Sequence, residues 1–187
     1  MSERDDDGPR DEVLVVAAIL GDLDAFSLLV SRYRGAVVRT ARAIVGSDDA
    51  EDVTQESLLL AFKALPSIEE PSKFPAWLAA ITRHRALRFS RQTRARASLQ
   101  VELDSLLIER VGPLSKPFAE ATAEADELAA AMDRIPADYS MVLRLRYQDE
   151  MPLRRIAAYL GVPLSTVKWR LHRGKKLLRK QVELLRT

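Results

Sequence analysis

At 187 residues and a formal net charge of +2, the chain is long enough for one or two small domains. It has no cysteine and two histidines, so it offers no disulfide framework, no thiolate metal site and too few ligands for a histidine one. Apolar residues make up 47%, ample for buried cores. With only seven glycines and abundant Ala, Leu, Arg and Glu, that composition favours an all-α protein.

Residues 1–12 are polar and acidic, lack apolar periodicity and read as a flexible tail rather than a secretory signal. No run of ~18 apolar residues occurs, so a soluble cytoplasmic protein without membrane insertion is expected. From Val13 the pattern is helical. Val13, Val16, Ala17 and Leu20 form a stripe that Gly21-Asp22 interrupts. Asp22 or Asp24 can cap the next helix, whose Phe26, Leu29, Val30, Tyr33, Val37 and Ile44 recur at near-helical spacing. Gly46-Ser47-Asp48 stops it. A third helix over roughly 49–64 turns Ala50, Val53, Leu58, Ala61 and Phe62 inward and opens on an acidic turn that suits the helix dipole.

Prolines 66, 71 and 75 mark a loop, and Pro75 suits the first turn of the helix that follows. That helix carries Trp77, Leu78, Ile81 and Leu87 with six arginines interleaved between Arg83 and Arg96. Residues 98–119, with two Gly-Pro or Lys-Pro breaks, read as an apolar linker. Helices resume at about residue 120. The last two, Leu153–Leu160 and the one after Gly161, have the spacing of a helix-turn-helix. Ala157, Gly161 and Val167 are the small, turn-forming and β-branched residues that let two helices cross closely.

The small net charge conceals an asymmetry. Residues 1–70 hold fifteen Asp/Glu, whereas none occurs from Pro71 to Val101 or from Met151 to Val182. The second window holds nine Lys/Arg, unfavourable unless a polyanion neutralises them. Two basic islands suggest two contacts with one long nucleic acid. No nucleophile–base set, phosphate-cradling glycine loop or metal-ligand spacing accompanies them, so no catalysis and no cofactor are expected.

Four stretches, in this order, resemble the sigma factors of bacterial RNA polymerase, in particular the extracytoplasmic-function (ECF) group of the sigma-70 family. They are GDLDAFSLLVSRYRGAVVRTAR, DAEDVTQESLLLAFKAL, PSKFPAWLAAITRHRALRFSRQ and IPADYSMVLRLRYQDEMPLRRIAAYLGVPLSTVKWRLHRGKKLLR. The resemblance implies an all-α chain of two small helical domains. A region 2 domain would span 13–97 and a region 4 domain 120–187, joined by the linker 98–119. It implies that Asp52, Gln55 and Glu56 bind core RNA polymerase. Ser72, Lys73 and Phe74 would capture a flipped base of the −10 element, and Arg83, His84, Arg88 and Arg91 would follow the displaced strand. His84 stands where asparagine is common in the family. In the second helix of the helix-turn-helix, Lys168, Trp169, His172 and Arg173 would read the −35 element, and Lys175, Lys176 and Arg179 would hold phosphates. Trp169, where a small or polar residue is common, either contacts DNA or packs between the helices. The implied partners are core polymerase, promoter DNA and an anti-sigma factor, with no small-molecule substrate. A dimeric helix-turn-helix regulator would leave DVTQES and the basic helix 73–96 unexplained. A polymerase adaptor that binds no promoter would leave both basic islands unused.

Overall fold

The computed structural model describes residues 8–104 and 123–185, and every regular element among them is helical. In order these are α1 (Asp11–Ile19), α2 (Leu23–Val45), α3 (Ala50–Ala64), α4 (Phe74–Asp104), α5 (Ala123–Asp133), α6 (Ala137–Tyr147), α7 (Leu153–Leu160) and α8 (Leu164–Leu185). Two short 3-10 turns, Leu65–Ser67 and Pro71–Lys73, lie between α3 and α4.

The first helix is rotated from its expected setting. Leu14, Val15 and Ala18 are buried, while Val13, Val16 and Leu20 face outward. The run VLVVAAIL is apolar on every side, so its period cannot choose a face. Tertiary contacts choose it. Asp11, at the start of α1, accepts a hydrogen bond from the buried Tyr33 hydroxyl and another from Arg32 at 2.7 Å, which fixes the rotation of the helix on α2.

Asp22 caps α2, its carboxylate accepting from the backbone N–H groups of Asp24 and Ala25 at 3.0 Å. Asp22→Ala is therefore expected to cost about 1 kcal/mol, the usual worth of an N-cap. In a chain of this size that lowers the melting temperature by about 2–4 °C, and an unchanged melt by circular dichroism would contradict the cap. From there α2 buries Leu29, Tyr33, Ala36, Val37, Thr40 and Ala41 against α3 and α4. The buried hydroxyls of Thr54, Ser57 and Thr82 donate to carbonyls four residues back, at 2.8, 2.6 and 2.9 Å. They therefore cost little to bury.

In the C-terminal half, Val142, Leu145, Ile156 and Val167 are buried where α6, α7 and α8 meet. Gly161 takes the left-handed conformation at φ 66°, and its N–H closes α7 on the Ala157 carbonyl. A Cβ at that φ is strained, so the glycine is what lets α8 start directly after the turn. A second cluster of Met132, Ile135 and Leu143 holds α5 and α6 to Leu171, Leu177 and Leu178 of α8.

The two halves are packed on each other through one continuous core. Tyr159 of α7 stacks on Tyr33 of α2, with ring centroids 6.0 Å apart and planes 18° apart. The linker also starts later than its composition suggests, because α4 continues through Asp104. The rest of the expected linker, including most of its apolar part, lies outside the described residues.

Candidate nucleic-acid interface

α8 sorts its side chains by chemistry. At 100° per residue, Lys168, Trp169, His172, Arg173, Lys175, Lys176 and Arg179 fall within an arc of about 160°. All seven are exposed. The opposite side of the helix carries Val167, Leu171, Gly174 and Leu178, which pack inward. The helix thus presents a cationic face held from behind by α6 and α7, the arrangement that a recognition helix needs in a major groove. Arg170 lies off that face and is committed elsewhere, donating to Asp138 at 2.7 Å.

Trp169 does not pack between α7 and α8. It is 58% exposed, and its ring leans on Tyr139 of α6, centroids 5.8 Å apart at 52°. The indole is thus braced by Tyr139 yet exposed, on the helix face that also carries Lys168 and Arg173. Lys175 lies over the Tyr147 ring, its Nζ 5.1 Å from the centroid. Exposed cation–π contacts of that kind are weak, so the ring holds Lys175 only loosely.

The second basic region is on α4. Arg83, His84, Arg88 and Arg91 are exposed and share an arc of about 140°. Arg83 lies at one edge, and Thr82 beside it is buried, donating to the Leu78 carbonyl at 2.9 Å. His84 and Arg88 lie at the other edge. There they border a groove of about 810 Å³ whose walls are Leu59, Leu60 and Ala64 of α3 with Ala80 and Ile81 of α4. In the turn before α4, Ser72 and Lys73 are exposed, and Lys73 donates to Glu70 at 2.6 Å.

Phe74 corrects the expectation from sequence. It is 1% exposed and lies in the core, edge-on to Tyr33 at 5.9 Å and tilted against Trp77 at 5.9 Å. An aromatic ring beside a basic stretch has the same residue signature whether it faces a base or the core. Here it anchors the turn and leaves Ser72 and Lys73 as the loop's exposed side chains.

On α3, Asp52, Gln55 and Glu56 form an exposed stripe at i, i+3 and i+4. Glu56 is tied to Arg85 of α4, whereas no bond from the Asp52 or Gln55 side chain is seen among the described residues. The stripe continues into Leu59, Leu60 and Phe62, 51, 45 and 40% exposed, so acceptors and apolar surface adjoin on one helix.

Sequence reasoning missed the contacts between the halves. Arg39 of α2 forks onto the loop after α6, with Nη2 2.7 Å from Asp149 Oδ1 and Nη1 2.7 Å from Gln148 Oε1. The Tyr159 hydroxyl is 3.0 Å from Thr40 Oγ1, and burial pushes its pKa up to about 12. Burial, and secondarily Asp11, raises that of Tyr33 as well. Both phenols therefore remain neutral donors. These pairs are about 110–120 residues apart in sequence, and no local pattern announces them.

Family comparison agrees with this division of the chain. Residues 29–96 match the model of Sigma-70 region 2, and residues 125–178 match that of Sigma-70, region 4. The ECF RNA polymerase sigma factor SigW of Bacillus subtilis is 30% identical over 87% of this chain and 91% of its own length. The ECF RNA polymerase sigma-E factor of Salmonella typhimurium is 33% identical over 94% of this chain and 95% of its own. Among solved structures, the sigma factor RpoE of Bartonella quintana, crystallised with the anti-sigma factor NepR, has the same fold. Its TM-score is 0.53 at 24% identity, over 86% of this chain and 98% of that one.

Proposed function

The chain belongs to the ECF group of RNA polymerase sigma factors, and from that premise we propose how its residues divide the work of starting transcription. It binds core RNA polymerase and directs it to promoters. Asp52, Gln55 and Glu56 on α3 dock on the polymerase, with Leu59 and Leu60 extending the contact. Acceptors beside an apolar strip suit a partner surface that is basic and partly apolar.

The helix-turn-helix reads the −35 element as duplex. Lys168, His172 and Arg173 face base edges, Trp169 supplies a braced apolar ring for thymine methyls or sugars, and Lys175, Lys176 and Arg179 hold phosphates. Ser72 and Lys73 line the capture site for an extruded −10 base. Arg83, His84, Arg88 and Arg91 track the displaced strand. Contacts available only to unpaired bases favour the melted state, so binding energy is converted into opening. The polymerase performs the chemistry in the cytoplasm, where it meets the chromosome. The domains are the region 2 bundle (13–97) and region 4 (120–187). An anti-sigma factor holds the protein off, a reading supported by the shared fold with RpoE, itself solved with NepR.

The observation that carries this reading is the α8 face, seven exposed cationic or aromatic side chains in one arc with no acidic residue from Met151 to Val182. Reconstitution with core polymerase on a whole-genome promoter pool is expected to yield transcripts with defined starts downstream of a two-part element. Absence of any such transcript would refute it.

A further inference from the structure

The reading face of α8 carries seven exposed side chains, and Trp169 alone among them is mostly apolar. It lies within the first two turns of the helix, where a recognition helix meets base edges. At 58% exposure the ring lacks the burial that usually keeps an indole in place. A second helix holds it instead. Tyr139 lies in the first turn of α6, its backbone N–H bonded to the Pro136 carbonyl at 3.0 Å. Its side chain is half-buried against the cluster of Met132, Ile135 and Leu143. α6 comes close to α8 at Gly174, where a Cβ would lie 3.3 Å from Tyr139 Cβ and 3.1 Å from Leu143 Cδ1. From that contact the Tyr139 ring reaches Trp169, centroids 5.8 Å apart at 52°. The neighbouring pair joins the same two helices by charge, Arg170 donating to Asp138 at 2.7 Å. Two consecutive residues of α6 thus hold two consecutive residues of α8.

We propose that Tyr139 is a positioning residue for promoter reading: it presets the Trp169 indole so that the helix-turn-helix selects thymine at one −35 position by its C5-methyl group. This rests on the sigma-factor reading above. The thymine methyl is the apolar feature that base edges offer in the major groove. The cations around Trp169 pair with base acceptors and phosphates, which leaves the methyl to the ring. An indole free on the helix surface loses rotamer freedom when it binds, and one already held by Tyr139 loses less. A mobile ring also turns aside for any base, whereas a held one meets the same point of the groove on every sequence. Selectivity at that base pair therefore depends on a residue of α6 that need not touch DNA itself.

Uracil differs from thymine by that methyl alone, so it isolates the contact. The full-length chain is assembled with core polymerase, and the −35 element is taken from promoters that this holoenzyme transcribes from a genomic pool. Each thymine of the element, on either strand, is replaced in turn by deoxyuridine, and the Kd of the holoenzyme for the duplex is read by competition. At one position the replacement is expected to weaken binding ~4-fold, the worth of about one buried methyl group. An element without thymine on either strand, or no loss at any position, would overturn the inference. In Trp169→Ala the same replacement should make no difference, and a persistent ~4-fold loss would assign the methyl to another residue and overturn it as well. Tyr139→Ala should bring the thymine-to-uracil ratio below ~2-fold, and so should Tyr139→Leu, which refills the packing beside Leu143 without a ring. Tyr139→Phe, which keeps the ring, should hold the ratio near ~4-fold. A merely structural role for Tyr139 would weaken binding to both duplexes alike, so an unchanged ratio in the leucine variant would overturn the positioning role. Transcription by the parent chain reports on the sigma-factor reading, and the ratio reports on Tyr139 and Trp169.

Discussion

Replacing Asp52 and Gln55 together by alanine is expected to weaken core polymerase binding by about 100- to 1,000-fold while leaving the melting temperature of the chain unchanged. Both side chains are exposed, and no bond from either is seen among the described residues, so their removal takes nothing from the fold. Asp52 contributes slightly to the dipole of the first turn of α3, and the higher helix propensity of alanine offsets that loss. At a docked surface the two side chains would each accept charge-assisted hydrogen bonds worth about 1.5–3 kcal/mol. Two such bonds at the lower end of that range sum to about 3–4 kcal/mol, or two to three decades in Kd. Glu56→Ala alone should behave differently. Its carboxylate also holds Arg85, so that variant would disturb the α3–α4 contact and mix a structural effect with a binding one. Titration of labelled core polymerase checks the first effect. Binding of the full chain to duplex DNA is the control, since the α8 face is untouched. Equal loss of polymerase and DNA binding would contradict the division of labour between the two halves.

The parts of this molecule that were legible in the sequence are those where local chemistry and global packing agree. The helix-turn-helix is the clearest case. Gly161 does adopt a positive φ, Ala157 and Val167 are buried at the crossing, and the cations fall on the other side of α8. Asp22 caps α2 because an aspartate after a glycine break offers the backbone its missing acceptor. The failures have physical causes too. α1 is apolar all round, so only a tertiary partner, Asp11 held by Arg32 and Tyr33, sets its face. α4 outruns its expected end because residues 98–104 contain no proline or glycine to stop it, and a change of composition is not a helix terminator. The Arg39–Asp149 fork and the Tyr159 seat join residues more than a hundred positions apart, and no periodicity encodes such a pair. Charge patterning marked two basic surfaces but was silent on the contacts that join the two halves.

Phe74→Ala is expected to destabilise the protein by about 3–5 kcal/mol, the usual cost of deleting a buried phenyl ring. That corresponds to a fall of about 10 °C in melting temperature for a chain of this length. The family resemblance implies that this ring helps capture a −10 base, and a ring in that role must be reachable. At 1% exposure it is not, and its neighbours are Tyr33 and Trp77 rather than solvent. The two roles therefore give opposite outcomes. If Phe74 held a base, the alanine variant would unfold normally and lose promoter opening alone, and a promoter with a pre-melted −10 region would still be bound weakly. If Phe74 is core, the unfolding midpoint in urea drops, and Phe74→Leu, which refills most of the volume, recovers more than half of the loss. The core role also predicts where a functional deficit would come from. The Pro71–Lys73 turn is continuous with Phe74, so an empty site beneath it would loosen Ser72 and Lys73. Transcription from duplex promoters should then fall in proportion to stability across a series of substitutions at this position, and a flat stability profile would rule the core role out.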